Sequence, residues 1–521
     1  MENSSYLVHA LDHIAAHPSA TLFTACLLLL YIYSRITYTY WKSRGVPQLD
    51  PSFPFGDVTS VIFRRKNMGE RTKEMFDWAR LRGHRYIGVY SFFRKGILLA
   101  DPVLIREVMG RFNDRGIHYD EKNDPISAHL FSLAGPKWKN LRTKLTPAYS
   151  PKQLRNLFNV VMDCGMKLIE FVEENVVAGR PIEIKETFAR YNTDVIGSTA
   201  LGLECNSLKD PNAEFRQIGK RAFMQTYVDI FRISIIRNIP RVAEFFGLGI
   251  FTPQVTEFFR RVVRETVEYR EKNNVRREDF LQILIELKNS ATSNALTMDE
   301  IAAQVFIFFL AGFETTSTTT CFAVYELAMN KEIQDRARLE IRKGLEKHGG
   351  VLDYEILQEF TYLDMIVHEA MRKYPAAPFY LRRCPERYQL PDSNVVIEEG
   401  FNFVVSSLGL HRDPEYFPDP DRFDPDRFSE ENRSKIWDYT YMPFGSGPRI
   451  CIGMRFAILE IKITLVNLLN NYVLRINSNT KLPASLAKQG VLLAPANPIW
   501  VDFEPARSSV RINRYPNDQF E

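Results

Sequence analysis

A mainly α-helical body carried on an amino-terminal membrane anchor is the fold class that this chain predicts. Three observations carry it: a charge-free apolar stretch near the amino terminus, a capped apolar run from Thr297 to about Met329, and a second apolar helix from about Cys451 to Leu469. With 521 residues, 45% of them hydrophobic, the chain can bury a large core, and no repeat or low-complexity linker divides it. A net charge of +4 gives no reason to expect a nucleic-acid partner. Six scattered cysteines without a Cys-x-x-Cys pair argue against a disulfide scaffold and a zinc ribbon, and place the body in a reducing compartment.

The anchor is read from Ile14–Ser34, 21 residues without Asp, Glu, Lys or Arg, which is about what a helix needs to cross a bilayer. Glu2 and Asp12 precede it and Arg35, Lys42 and Arg44 follow it, so the positive-inside rule puts the body in the cytosol, with Tyr38, Tyr40 and Trp41 at the interface. A cleaved signal peptide is the alternative, but no Ala-x-Ala site follows the apolar core; a mitochondrial presequence would be Arg-rich and acid-poor. Asn3-Ser4-Ser5 is a formal glycosylation sequon on the lumenal side. The organisation expected is an anchor over 1–34, a basic then proline-rich linker over 35–56 stiffened by Pro47, Pro51 and Pro54, and one domain over 57–521.

The carboxy-terminal apolar helix follows Phe444-Gly445-Ser446-Gly447-Pro448-Arg449-Ile450-Cys451-Ile452-Gly453, which surrounds one cysteine with what an iron-binding thiolate requires. Gly447 and Gly453 let the backbone turn sharply and lie close to a flat macrocycle. Phe444 can shield the sulfur from water, and Arg449 supplies a cation for a haem propionate. A lone cysteine is ordinarily a small buried hydrophobe. The spacing Phe-x-x-Gly-x-Arg-x-Cys-x-Gly makes Cys451 the candidate metal ligand instead.

Thr297-Met298-Asp299-Glu300 has the form of a capping box and opens the long central helix, apolar around most of its circumference and therefore buried. Within it lies Ala311-Gly312-Phe313-Glu314-Thr315-Thr316. Phe308, Ala311 or Gly312, Thr315 and Thr319 fall on one stripe with the smallest side chains in the middle, a notch able to hold a flat cofactor and a diatomic ligand. The alternative is that Ala311-Gly312 packs against another helix and Thr315 bonds back to the preceding turn.

At these residues the chain resembles the cytochrome P-450 superfamily of haem-thiolate monooxygenases, over nearly its whole length. Tyr40-Trp41-Lys42-Ser43-Arg44-Gly45-Val46-Pro47 and Arg372-Lys373-Tyr374-Pro375 are most similar to the sixth family of insect microsomal enzymes, in the third clan. The resemblance implies the P-450 fold, mainly α with a smaller β region, and iron protoporphyrin IX between the central helix and the Cys451 loop, with an axial thiolate. It implies that Thr315 holds dioxygen or its water, that Glu314 relays protons, and that Trp138 and Arg142 bind haem propionates. An amphipathic helix end is the plainer account of that last pair. A helix distortion at Gly312–Thr316, with a water inserted, is the expected physical device.

Glu369 and Arg372, at i and i+3, become the family's Glu-x-x-Arg motif, joined by Arg427 in a structural network; a zinc-protease reading of His368-Glu369 fails because the position four residues on is Arg372. Where some relatives carry a further propionate arginine this chain has Phe379, leaving Arg382 or Arg383 as substitutes. Lys137, Lys139 and Lys144 form a basic patch that is either a reductase-docking face or a solvated helix face. The resemblance places substrate-pocket residues in 117–133, 224–251, 376–381 and 491–495, stretches with no clustered charge, so a lipophilic guest is expected. Ile230–Arg237 and Phe245–Phe251 either dip into the membrane or pack as ordinary helices.

The function implied is a membrane-bound monooxygenase of the endoplasmic reticulum, with its body on the cytosolic face. Electrons would come from NADPH through a flavoprotein reductase, with cytochrome b5 as a further possible donor. Detoxification of insecticides or plant toxins competes with hydroxylation of a hormone or lipid. A haem-thiolate isomerase or dehydratase would commonly lack the Glu314-Thr315 pair, and a non-catalytic haem sensor would not need it.

Overall fold

The computed structural model describes residues 18–223, 226–290 and 295–513. Glu2, Asp12, the sequon at Asn3, residues 14–17 of the apolar stretch and Met224 lie outside these. The anchor appears as α1 (Pro18–Tyr38), with Leu22, Leu28, Leu29 and Ile36 exposed. It lies in a segment, Ser19–Arg44, long and apolar enough to cross a membrane.

The helix runs on through Arg35 to Tyr38, so the segment read as a linker begins helical. Trp41 does not sit at an interface. It is fully buried, and a Cβ at Gly88 would collide with its ring, so the glycine leaves a slot that the indole fills. The Trp41 backbone N–H donates to the Tyr90 hydroxyl at 3.1 Å, and Tyr38 meets the Tyr90 ring edge to face at 5.1 Å. Aromatic residues that suit a headgroup layer by type are here part of the body's core, because a glycine in the adjoining strand offers them more burial.

The body's principal helices are α2 (Met68–Leu81), α3 (Pro102–Arg111), α4 (Gly135–Leu145), α5 (Pro151–Val177), α6 (Ile184–Ile196), α7 (Tyr227–Asn238), α8 (Met298–Met329), α9 (Thr361–Lys373) and α10 (Met454–Asn471), with others between them. The β region is smaller. A four-stranded sheet of β1 (Tyr86–Ser91), β2 (Arg94–Leu99), β3 (Tyr380–Arg383) and β4 (Asn402–Val405) has the order β1-β2-β4-β3, with only β2 and β4 parallel. Ile182–Glu183, Trp500–Pro505 and Tyr472–Ile476 form a second sheet, and Tyr388–Gln389 pairs with Val396–Ile397. One large core joins α4, α5, α6, α8, α9 and α10, and a smaller one joins α2, α3 and the four-stranded sheet.

Helix α8 starts where its capping box predicts: Glu300 N–H donates to Thr297 Oγ1 at 3.2 Å and Thr297 N–H to Glu300 Oε2 at 2.8 Å. Helix α10 starts three residues after Cys451, with Gly453 at its N-cap, so the cysteine precedes the helix expected to begin with it. The Glu-x-x-Arg pair is fully buried. Arg372 Nε and Nη2 donate to the two Glu369 oxygens at 2.7 and 2.8 Å, while Nη1 and Nη2 also donate to His411 O at 2.9 Å and Pro420 O at 2.8 Å. Glu369 Oε1 further accepts Asp424 N–H at 2.8 Å and meets Arg427 Nε at 3.5 Å. Burial pushes the Glu369 carboxyl up, against the pull of Arg372.

A buried pair of this kind is worth little against an apolar substitute, but removing one partner strands a charge. Glu369→Ala is therefore expected to destabilise the protein by about 3–5 kcal/mol, measured by urea unfolding; a cost near that of an exposed pair would show that the network does not hold this region.

Candidate functional site

The Cys451 loop is closed on itself by Cys451 N–H donating to Phe444 O at 3.0 Å. Gly447 has φ +69°, and a Cβ there would strike the Met109 carbonyl at the end of α3. The glycine is thus required by a backbone of the protein itself. Gly453 is different: a Cβ would meet the Tyr149 ring at an ordinary 3.5 Å. Two residues hold the loop's entry. Tyr380 OH donates to Met442 O at 2.6 Å, and Met442 N–H donates to His411 Nε2 at 2.8 Å. Burial, followed by the Arg372 charge, pushes His411 down to about 3, so the imidazole stays neutral and can accept that bond.

Cys451 lies deep in the fold yet its side chain is accessible, because it faces an internal cavity of about 730 Å³. Burial pushes its thiol up, while the Gly453 N–H and the Arg142 and Arg115 charges pull it down. The anionic form, which those groups favour, is the one that ligates metal. No group of three or more His, Cys, Asp and Glu suited to a metal occurs among the described residues, and Cys451 offers its sulfur to the cavity as a single ligand.

The cavity is also lined by Phe308, Ala311, Gly312, Thr315 and Thr319 of α8. The expected stripe therefore forms, and Ala311 is exposed within a buried helix because its methyl group faces the cavity. The expected distortion does not form. Helix α8 runs α-helical without interruption, and Thr315 Oγ1 donates to Ala311 O at 2.7 Å, occupying the acceptor that an opened turn would release. Gly312 packs closely against α6, where a Cβ would lie 2.5 Å from Ile196 Cδ1. Ala311 and Gly312 both line the cavity, and Gly312 also brings the helices together. Glu314 does not line the cavity; its Oε1 is 2.8 Å from Lys185 Nζ of α6, which also donates to Ser317 Oγ at 3.0 Å.

Around the Cys451 end stand four guanidinium groups, Arg115, Arg142, Arg382 and Arg449, all in the cavity wall. Arg449 is buried, donates to Leu130 O at 3.0 Å and also to Asn113 O and Leu133 O, and lies 4.2 Å over the Trp138 ring. Burial and the Arg382 charge push it down to about 9, with only Asp114 pulling the other way. Arg115 is pushed well down by burial and by Arg449 and Arg382. Arg382 Nε is buried without a hydrogen-bond partner among the described residues, and burial pushes this group down to about 10. Buried cations that repel one another with so little opposing charge suit an anionic guest, and guanidinium forks match carboxylates. These residues fit a haem whose propionates meet the arginines and whose iron meets Cys451.

Strand alternation separates Arg382 from Arg383: on β3 the side chain of Arg382 is buried in the cavity wall and that of Arg383 is exposed. Arg115 was missed by sequence reasoning, for an arginine two residues before an apolar loop carries no pattern of its own. The four expected substrate stretches all contribute, through Ile117, Phe251, Phe379 and Val491 among others. Arg94 and Met75, from β2 and α2, lie outside those stretches. In the basic patch, Lys137 is paired with Glu121 at 2.7 Å.

The family model described as Cytochrome P-450 matches residues 60–501. Among curated proteins, the chain is 37% identical over 472 residues, 90% of its length and 94% of the relative's, to probable cytochrome P-450 6a13 of Drosophila melanogaster. It is 36% identical over 515 residues, 94% of its length and 97% of the relative's, to cytochrome P-450 6k1 of Blattella germanica. Similarity to probable cytochrome P-450 6a20 of Drosophila melanogaster is 39% over 446 residues, 84% of this chain and 89% of that one.

Two outcomes test this geometry. Arg115→Gln and Arg382→Gln are each expected to speed haem transfer to a competing apoglobin roughly tenfold, the worth of a lost charge-assisted hydrogen bond; an unchanged transfer rate would remove them from the propionate site. Gly312→Ala must force Ile196 aside, and overpacking of that kind costs about 1–3 kcal/mol on urea unfolding.

Proposed function

The chain belongs to the cytochrome P-450 family, which binds haem through a cysteine thiolate, and from that premise we propose that it inserts one oxygen atom of dioxygen into lipophilic small molecules. The other atom leaves as water, with two electrons and two protons consumed. The observation that carries the reading is that Cys451 and the Ala311–Thr315 stripe line one mostly apolar cavity. When bound, the haem supplies the iron that activates dioxygen, with electron density from the Cys451 thiolate.

The protein's own contributions are positioning, exclusion of water and proton handling. Trp138, Arg142, Arg449 and the further arginines would hold the propionates; Phe444 and Gly453 would flank the sulfur; Ala311 and Gly312 would leave room for the small ligand. The Thr315 hydrogen is bonded to Ala311 O, which leaves its oxygen lone pairs able to accept from a donor in the cavity. Passing a proton onward requires that bond to break and reform. Glu314 flanks the stripe, paired with Lys185, so its part in a relay requires leaving that ion pair and turning toward Thr315.

Electrons are proposed to come from NADPH through a flavoprotein reductase, with cytochrome b5 a second donor, docking on the face that carries Lys139 and Lys144. The apolar α1 supports attachment to the endoplasmic reticulum with the body in the cytosol. The roomy, largely apolar cavity supports a role in detoxification of xenobiotics such as insecticides or plant toxins.

The first test is the carbon monoxide difference spectrum of the reduced, membrane-expressed protein. A strongly red-shifted Soret band is expected, and Cys451→Ser is expected to abolish it; a wild-type band typical of histidine-ligated haem would overturn the assignment. Thr315→Ala should keep the band but release more peroxide per NADPH consumed with reductase present. Unchanged coupling would take Thr315 out of proton delivery.

A further inference from the structure

The cavity has a second polar end. Its wall at the four-stranded sheet includes Arg94, the first residue of β2, and Arg237, near the end of α7. Both also line a smaller adjoining cleft of about 180 Å³, together with Val58, Met68, Ser91 and Val491. No residue of the 444–453 loop lines that cleft, so the two arginines mark the end of the cavity away from Cys451. Arg94 donates to the Arg237 carbonyl, which ties the strand to the helix.

Among the described residues neither guanidinium forms an ion pair, although their neighbours do: Arg71 reaches Asp57 at 3.5 Å and Arg232 reaches Asp229 at 2.8 Å. Among the described residues Asp57 is the one carboxyl group in the cavity wall, and its other oxygen accepts Tyr90 N–H at 2.7 Å. Burial pushes Arg94 down, and Arg237 and Arg383 push it further; burial alone pushes Arg237 down. Lys95 adds a positive charge nearby, 4.5 Å over the Tyr40 ring. Placing two cations together in a low-dielectric wall is unfavourable unless an anion joins them, and an otherwise apolar wall favours a guest whose remainder is hydrocarbon.

We propose that Arg94 and Arg237 form a head-group subsite for acidic amphiphiles, such as long-chain carboxylic acids, whose apolar bodies extend through the cavity toward Cys451. The assignment rests on the monooxygenase reading and names a substrate class for it. It also qualifies the expectation of a pocket with no clustered charge: Arg94 and Arg237 lie far apart in sequence, and only the meeting of α7 with β2 makes a pair.

The test uses the haem-loaded full chain in discs of zwitterionic lipid. Affinities for dodecanoate and its methyl ester are measured by equilibrium dialysis with labelled ligand, and the ferric Soret shift is recorded alongside. The acid is expected to bind at least tenfold more tightly than the ester. In Arg94→Gln and Arg237→Gln that ratio should fall, and in the double variant it should approach one, while Arg94→Lys should keep part of it. Equal affinity for acid and ester in the wild type, or a ratio untouched by the substitutions, would overturn the subsite. If discs containing an anionic phospholipid abolish the acid's preference in the wild type, the arginines hold a lipid head group and the substrate assignment falls. The carbon monoxide spectrum of the same preparation separates failure of this inference from failure of the haem-thiolate reading, because dialysis does not depend on the iron.

Discussion

A carboxylate and a guanidinium with no share of water, Glu369 and Arg372, set the position of the segment that presents Cys451. Once buried, neither can lose its partner without a large desolvation cost, so the pair acts as a rigid joint. From it a chain of bonds can be followed. Arg372 holds the His411 carbonyl, the His411 imidazole accepts the Met442 N–H, and Tyr380 clamps the Met442 carbonyl from β3. The loop between Met442 and Cys451 therefore starts from a fixed point and closes through the Phe444 carbonyl. The same strand that supplies Tyr380 supplies Arg382, so one element both fixes the loop and contributes to the charge around it.

The site is electrostatically lopsided by construction. Arg115, Arg142, Arg382 and Arg449 come from four separate stretches and meet in a wall where little opposes them but Asp114 and the Cys451 sulfur. An arrangement with that much uncompensated charge would be unfavourable in a protein that folds around nothing. It becomes reasonable when the folded form is completed by an anionic group, since a ligand bound only by the folded state stabilises it by mass action.

The long helices, the α8 cap and the ligand loop were legible in the sequence because each is written locally, in periodicity, in a capping box and in glycine spacing. The smaller β region and the cofactor came through resemblance, since short strands such as Asn402–Val405 carry no pattern strong enough alone. What could not be read locally depends on packing. Trp41 was assigned to a membrane interface by residue type and is buried by a slot at Gly88. The notch of α8 was legible as a stripe of small residues. The partner of Gly312 was not, because Ile196 lies more than a hundred positions earlier in the chain. The unbroken turn at Thr315 has the same character: its hydroxyl had two partners open to it, and the backbone carbonyl won.

Helix α7 runs from the protein surface to the cavity wall. It carries Val228 and Phe231 exposed and Ile236 buried, and near its end Arg237 lies in the cavity wall. Phe245 and Phe246, just beyond it, are also exposed. Exposed aromatic and aliphatic side chains clustered along one short segment are unusual on a surface that meets only water, and α1 supplies a second apolar surface in the same chain. An amphiphile arriving from a lipid phase would carry its hydrocarbon through an apolar boundary and its charged head near polar surroundings. A helix that is apolar outside and ends in a cation inside offers that molecule continuous solvation of both parts. The desolvation of the head, which otherwise opposes entry of any acid into an apolar cavity, is thereby offset within the wall itself.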